Sequence, residues 1–202
     1  MKKKIIMLRH AESIGNAGGA TIDSASMGLS ELGIAQAQEL PTAIGVVPEI
    51  LIYSKYLRAE QTADPLRRTH PHSVCSVWEI HEFTYLNGMK YKNTTQKQRQ
   101  FPRQEYWSRC DPMYCDEGGA ESFYDFLRRV DVYIRRLQTI YYDPIVVISH
   151  ELFILGTMFL LENKIIPSAV TREHMEVFRS MYYTKKIANT ALYDLSEQIL
   201  AY

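Results

Sequence analysis

The sequence predicts an α/β fold, a three-layer, open, mostly parallel sheet with helices on both faces. Short apolar runs of strand length, at 5–8, 50–53, 74–78 and 144–149, alternate with stretches of helical period. Alternation of this kind implies parallel strands joined through helices that cover both sides of the sheet. No internal repeat, low-complexity tract or linker interrupts residues 1–202. With 46% hydrophobic residues the chain can bury one full core, so a single domain is expected.

Taken in order, the run 5–8 stops abruptly at Arg9–His10, followed by small and polar residues through Gly15, Asn16 and Gly18–Gly19. Residues 21–28 read as a loop. The stretch 30–44 reads as a helix, with Ser30 as N-cap, Leu32, Ala35 and Leu40 towards one face, and Gly45 past its end. A second strand at 50–53 ends at Ser54. Residues 57–69 are helical in pattern, with Pro65 expected to kink or split them. Residues 74–78 make a third strand, in which Cys75 reads as a small buried group.

Residues 79–120 have no sustained period and are expected to form a lid-like insertion. Their aromatics Tyr85, Tyr91, Phe101, Tyr106, Trp107 and Tyr114 favour an ordered lid. A long helix over 121–141 places Phe123, Phe126, Leu127, Val130, Ile134 and Leu137 on a core face. The most apolar strand, 144–149, stops at His150. Helices over 152–161 and 171–178 and a late strand at 191–195 complete the set.

Lys plus Arg and Asp plus Glu both total 23, which argues against a nucleic-acid or membrane-surface partner. Cys75, Cys110 and Cys115 show no zinc-ligand spacing, so a reduced, cytoplasmic protein is expected. The basic start has an apolar run of only four residues before Arg9, too short for a signal peptide. The apolar segment 145–161 carries His150 and Glu151, which are costly at mid-bilayer. A homodimer is left open.

Three strands end in polar signatures: Arg9–His10, Ser54 leading to Arg58, and Ser149–His150. Parallel strands end on one edge, where ligands of open α/β sheets bind. Two histidines and two arginines gathered there suit a doubly charged oxyanion, because guanidinium forks match phosphate oxygens. Arg58, Gln61 and Thr62 share a helix face, and that helix points its N-terminal partial charge at the anion.

LRHAESIGN at 8–16, SKYLRAEQTA at 54–63 and VVISH at 146–150 resemble the motifs of the histidine phosphatase (phosphoglycerate mutase-like) superfamily. WEIHEFTYLNG at 78–88 and the stretch 106–130 are similar to a smaller subgroup of it. The likeness spans roughly 4–195. It implies a cofactor-independent phosphatase that passes the phosphoryl group to His10, with Arg9, Arg58 and His150 in the phosphate pocket and Asn16 holding the phosphate loop. It also implies a general-acid glutamate after the third strand, Glu79 or Glu82; the EFTYL pattern points to Glu82. The family usually has glycine after the second histidine, where this chain has Glu151. A carboxylate facing inward there would repel substrate.

The expected partner is a small phosphorylated substrate, and no metal is required because cationic side chains neutralise the transferring group. Phosphoglycerate mutase-type transfer is the alternative reaction, although 17–30 lacks the FTGW-type element of the sugar-phosphate mutases. A non-catalytic phospho-ligand binding module is a second alternative. The histidines could instead be packed core residues or, with Glu82, ligands to zinc, a cation disfavoured beside Arg9 and Arg58. His70, His72, His81 and His174 carry no matching motif. Within 84–109, Lys90, Lys92, Lys97, Arg99, Arg103 and Arg109 stand against one acid, Glu105. This reads as a basic rim that selects anionic substrates, with Lys90 and Lys92 as the residues to neutralise.

Overall fold

The computed structural model describes residues 3–117 and 119–202; Met1, Lys2 and Gly118 lie outside the described residues. Strands β1 (Ile5–Arg9), β2 (Ile50–Ser54), β3 (Val74–Trp78), β4 (Ile145–Ser149) and β5 (Leu192–Asp194) form one sheet in the order β3-β2-β4-β1-β5. The first four are parallel, and β5 runs antiparallel along the β1 edge. β4 is central and buried throughout, which explains why its sequence is apolar without alternation. β3 is an edge strand and largely exposed. Cys75 is therefore exposed, contrary to expectation.

Helices α1 (Glu31–Ala43) and α2 (Leu57–Thr69) pack against each other over one face of the sheet. The buried side of α1 is Gly33, Ala37 and Leu40, whereas Leu32 is 55% exposed. The apolar pattern misled here because the helix rests on backbone: a Cβ on Gly33 would lie 1.9 Å from the Glu12 carbonyl oxygen. Nor is α2 split by Pro65. It runs unbroken, burying Ala59, Thr62, Ala63, Pro65 and Leu66, and this packing offsets the one backbone bond that proline forfeits.

The other face carries the larger core, around α5 (Phe123–Thr139) and α6 (Glu151–Asn163). α5 buries seven residues at helical spacing, and α6 is buried continuously from Leu152 to Leu161. α7 (Arg172–Thr184) is six residues longer than predicted at its end, and α8 (Ser196–Leu200) follows β5.

The 79–120 segment is not devoid of regular structure: it holds α3 (Gly88–Tyr91) and α4 (Gln100–Arg109). Its aromatics do order it. Phe83 stacks on Phe126 with centroids 4.3 Å apart and meets Tyr85, Tyr106 and Trp107. Trp107 in turn packs on Phe178 of α7. Burying rings of this size contributes about 1.5–3 kcal/mol each. Phe101 is 74% exposed and takes no part.

Candidate active site

Strand register builds the site. β1 pairs with β4 so that Arg9 stands opposite Ser149, and the His10 amide donates to the Ser149 carbonyl at 2.9 Å. One residue beyond each strand come His10 and His150, with ring centroids 4.9 Å apart. On the other flank of β4, Tyr53 pairs with Ile148. Ser54 is thereby level with Ser149, and its Oγ lies 2.6 Å from His150 Nε2.

Arg58, in the first turn of α2, joins the two rings. Its Nε donates to His10 Nε2 at 3.0 Å, its Nη2 to His150 Nδ1 at 3.1 Å, and its Nη1 to the Ser24 carbonyl at 2.6 Å. Arginine can only donate, so each contacted imidazole nitrogen carries a lone pair. In the neutral rings the protons then sit on the other nitrogens. His10 Nδ1–H donates to the Ala11 carbonyl at 2.7 Å, and His150 Nε2–H donates to Ser54 Oγ. Burial holds both histidines well below the usual imidazole pKa, with Arg58 the next cause in each. His10 thus presents a neutral ring whose reactive lone pair is on Nε2.

These groups border an open cavity of about 150 Å³ at the carboxyl edge of the sheet. Arg9, His10, Asn16, Arg58 and Glu82 all line it. His150 is fully buried and sits behind Arg58 rather than in the wall. Glu79 is turned outward, paired with Lys55 at 2.8 Å. Glu82 points inward: its Oε1 accepts from its neighbour's amide, Phe83, and from the Leu152 amide at 3.0 Å, at the start of α6. Burial, reinforced by Glu151, raises the Glu82 pKa despite Arg58 and Arg9. Glu151 does line the cavity, and its carboxylate faces Arg9 at 3.4 Å. Its charge is therefore partly met, which softens the expected repulsion.

The loop after β1 is fastened from several sides. Asn16 Oδ1 accepts from the amide and hydroxyl of Ser13, leaving its amide nitrogen as the end available to a ligand. Thr62 Oγ1 accepts from the Ala11 amide, and Gln61 Oε1 accepts from Leu29. So the predicted shared face of α2 exists, but only Arg58 enters the cavity.

Sequence reasoning missed Asn189, whose Nδ2 donates to the His10 carbonyl at 2.8 Å, and Ile187, whose carbonyl accepts from Arg9 at 2.5 Å. Neither has a sequence signal, since both come from the irregular turn before β5. His81 is largely buried, with its pKa pushed down to about 3, and lies outside the cavity wall. Among the described residues no three His, Cys, Asp or Glu side chains gather as a metal-ligand set. Nor is any helix among them long and apolar enough to cross a membrane.

The family model described as histidine phosphatase superfamily (branch 1) matches residues 5–176. The chain belongs to this superfamily. No curated protein sequence matches it. Solved structures similar to this histidine phosphatase superfamily member include an alpha-ribazole phosphatase from Shigella flexneri, 21% identical, TM-score 0.66, covering 94% of this chain and 88% of that one. A phosphoserine phosphatase from Entamoeba histolytica gives 21% identity, TM-score 0.68 and coverage of 94% and 88%. A mycobacterial glucosyl-3-phosphoglycerate phosphatase gives 21%, 0.68, and 94% and 90%. At these identities the likeness is one of fold.

Proposed function

We propose that the protein hydrolyses phosphomonoesters through a phosphohistidine on His10. The observation that carries this reading is the His10 Nε2 lone pair, fixed by the Nδ1–H bond to Ala11 and aimed at the guanidinium of Arg58. A phosphoryl oxygen entering the cavity takes over the donors of Arg58 and Arg9, and Nε2 attacks phosphorus in line. The P–O ester bond breaks as Glu82 gives its proton to the leaving oxygen. Water then attacks the phosphorus of phospho-His10, Glu82 recovers a proton from it, and the P–N bond breaks to release inorganic phosphate.

In this scheme His150 positions Arg58, and Asn16 donates to the phosphate from the loop. The raised pKa of Glu82 suits an acid that must begin protonated. Arg9 and Arg58 balance the charge and Asn16 adds a neutral donor, so no metal or cofactor enters a step of this scheme.

The test is a phosphatase assay with p-nitrophenyl phosphate on wild type and His10→Ala, with phosphoprotein trapped by an alkaline denaturing quench. Wild type should release phosphate and show an acid-labile, base-stable adduct that His10→Ala lacks. Phosphate release by His10→Ala at the wild-type rate would overturn the reading.

A further inference from the structure

Residues 79–84, which carry Glu82, belong to no strand or helix, so their backbone must be fixed by groups from elsewhere. Arg129 of α5 donates through Nη1 to the Glu79 carbonyl at 3.0 Å and to the His81 carbonyl at 2.9 Å. Between them, the Ile80 carbonyl accepts from Ser149 Oγ at 2.7 Å. The rest of the Arg129 fork closes on Glu121, Nε to Oε1 and Nη2 to Oε2, both at 2.8 Å. The Glu121 amide in turn donates to the Thr84 carbonyl at 2.8 Å. The Arg129–Glu121 pair thus grips the chain on both sides of Glu82, at 79 and 81 before it and at 84 after it.

The pair is itself held fast. Both side chains are only 14% exposed, and the guanidinium lies 5.6 Å from the Phe126 ring centroid and 5.1 Å from that of Phe153. Phe126 sits one helical turn before Arg129 and stacks on Phe83, the residue after Glu82. One face of α5 therefore fixes both the backbone and the neighbouring ring of this segment. A largely buried ion pair is a weak source of stability, because desolvation offsets its attraction. What this one supplies is placement, and a displacement of about 1 Å in a reacting group can cost about 10²-fold in rate.

We infer that Arg129, held by Glu121, is a positioning residue for Glu82, setting where that carboxyl stands against the leaving oxygen. It acts from outside the cavity wall, which neither Arg129 nor Glu121 lines. This deepens the phosphatase reading and rests on its use of Glu82 as proton donor.

The test compares kcat/KM on aryl phosphates graded from p-nitrophenyl, whose phenolate departs unprotonated, to p-methoxyphenyl, whose leaving oxygen needs a proton. Arg129→Lys keeps the charge but loses the fork. It should widen the ratio of p-nitrophenyl to p-methoxyphenyl rates about tenfold, as a misplaced acid would. In a Glu82→Gln background that ratio is already wide, and adding Arg129→Lys should move it less than about twofold. Arg128→Lys, one residue earlier on α5 and paired with Asp125, should leave the ratio at the wild-type value. Glu121→Gln should widen it in the same direction as Arg129→Lys.

An equal loss on every ester in Arg129→Lys overturns the inference, as does a widening of the ratio that recurs in full in the Glu82→Gln background. Thermal melting checks each fold. If Arg129→Lys does not unfold cooperatively, Glu121→Gln decides by the same two criteria; if neither does, the pair is a determinant of the fold and the inference falls. Failure of the phosphatase reading looks different: wild type would release phosphate from none of the esters, or Glu82→Gln would keep the wild-type ratio.

Discussion

The Nε of Arg58 lies 3.0 Å from Nε2 of His10 and donates to it, while Nη2 of the same guanidinium donates to His150. One side chain thus sets the tautomer of two rings from different strands and depresses both their pKa values. In Arg58→Met we expect kcat/KM to fall about 10²–10³-fold. The sign of the pH effect also follows. Arg58 lowers the His10 pKa, so its removal raises it, and the variant should lose activity on acidification at a higher pH than wild type. Imidazole NMR titration beside the pH–rate profile checks this; an unmoved acid limb counts against it.

In the proposed scheme Glu82 starts protonated, and its pKa is raised by burial and then by Glu151. Wild-type kcat/KM should therefore decline as pH climbs through that raised pKa. Glu82→Gln should lack this limb and lose about 10²–10⁴-fold on alkyl phosphates, far less on p-nitrophenyl phosphate, whose leaving group needs no proton. Glu151→Gln should move the limb to lower pH. A raised carboxyl pKa also costs folded-state stability above the unfolded value, so Glu82→Gln should melt higher than wild type at neutral pH and by less near pH 4.

Gly33 allows α1 to sit on the loop that carries His10. A methyl group there meets the Glu12 carbonyl oxygen at 1.9 Å, and backbone must move. Gly33→Ala should lose about 1–3 kcal/mol in urea titration, together with activity, because residues 11–13 shift. Gly45→Ala, strained by its positive φ of 64° but far from contact, should cost stability and spare catalysis.

Extended dialysis against EDTA should leave phosphate release unchanged, since the proposed steps draw only on side chains. A rate lost to the chelator and restored by a divalent ion would reverse that expectation.

Much of this was legible in the sequence for a physical reason. A buried parallel strand must be apolar and must end sharply, so Arg9–His10, Ser54 and Ser149–His150 announced themselves as edge groups. What could not be read was depth. His150 and Arg9 look alike as strand-end polar residues, yet one is wholly buried behind Arg58 and the other borders the cavity. Glu79 and Glu82 differ only in the direction the chain takes after β3, which the packing of Phe83 on Phe126 decides. The lid failed as a pattern because α3 and α4 are short and held by aromatic contacts that are distant in sequence. For the same reason Lys90 and Lys92 were expected at the rim, whereas Arg99 and Arg103 line the cavity.

The turn before β5 clasps the end of β1, far away in sequence. Asn189 grips the His10 carbonyl, Ile187 grips Arg9, and the Thr190 amide donates to the Arg9 carbonyl. The backbone support of His10 thus comes from a residue 179 positions away in sequence. The motif residues all lie between β1 and the start of α6, so the loop after β1 is fully held in place only once the turn before β5 has docked on it.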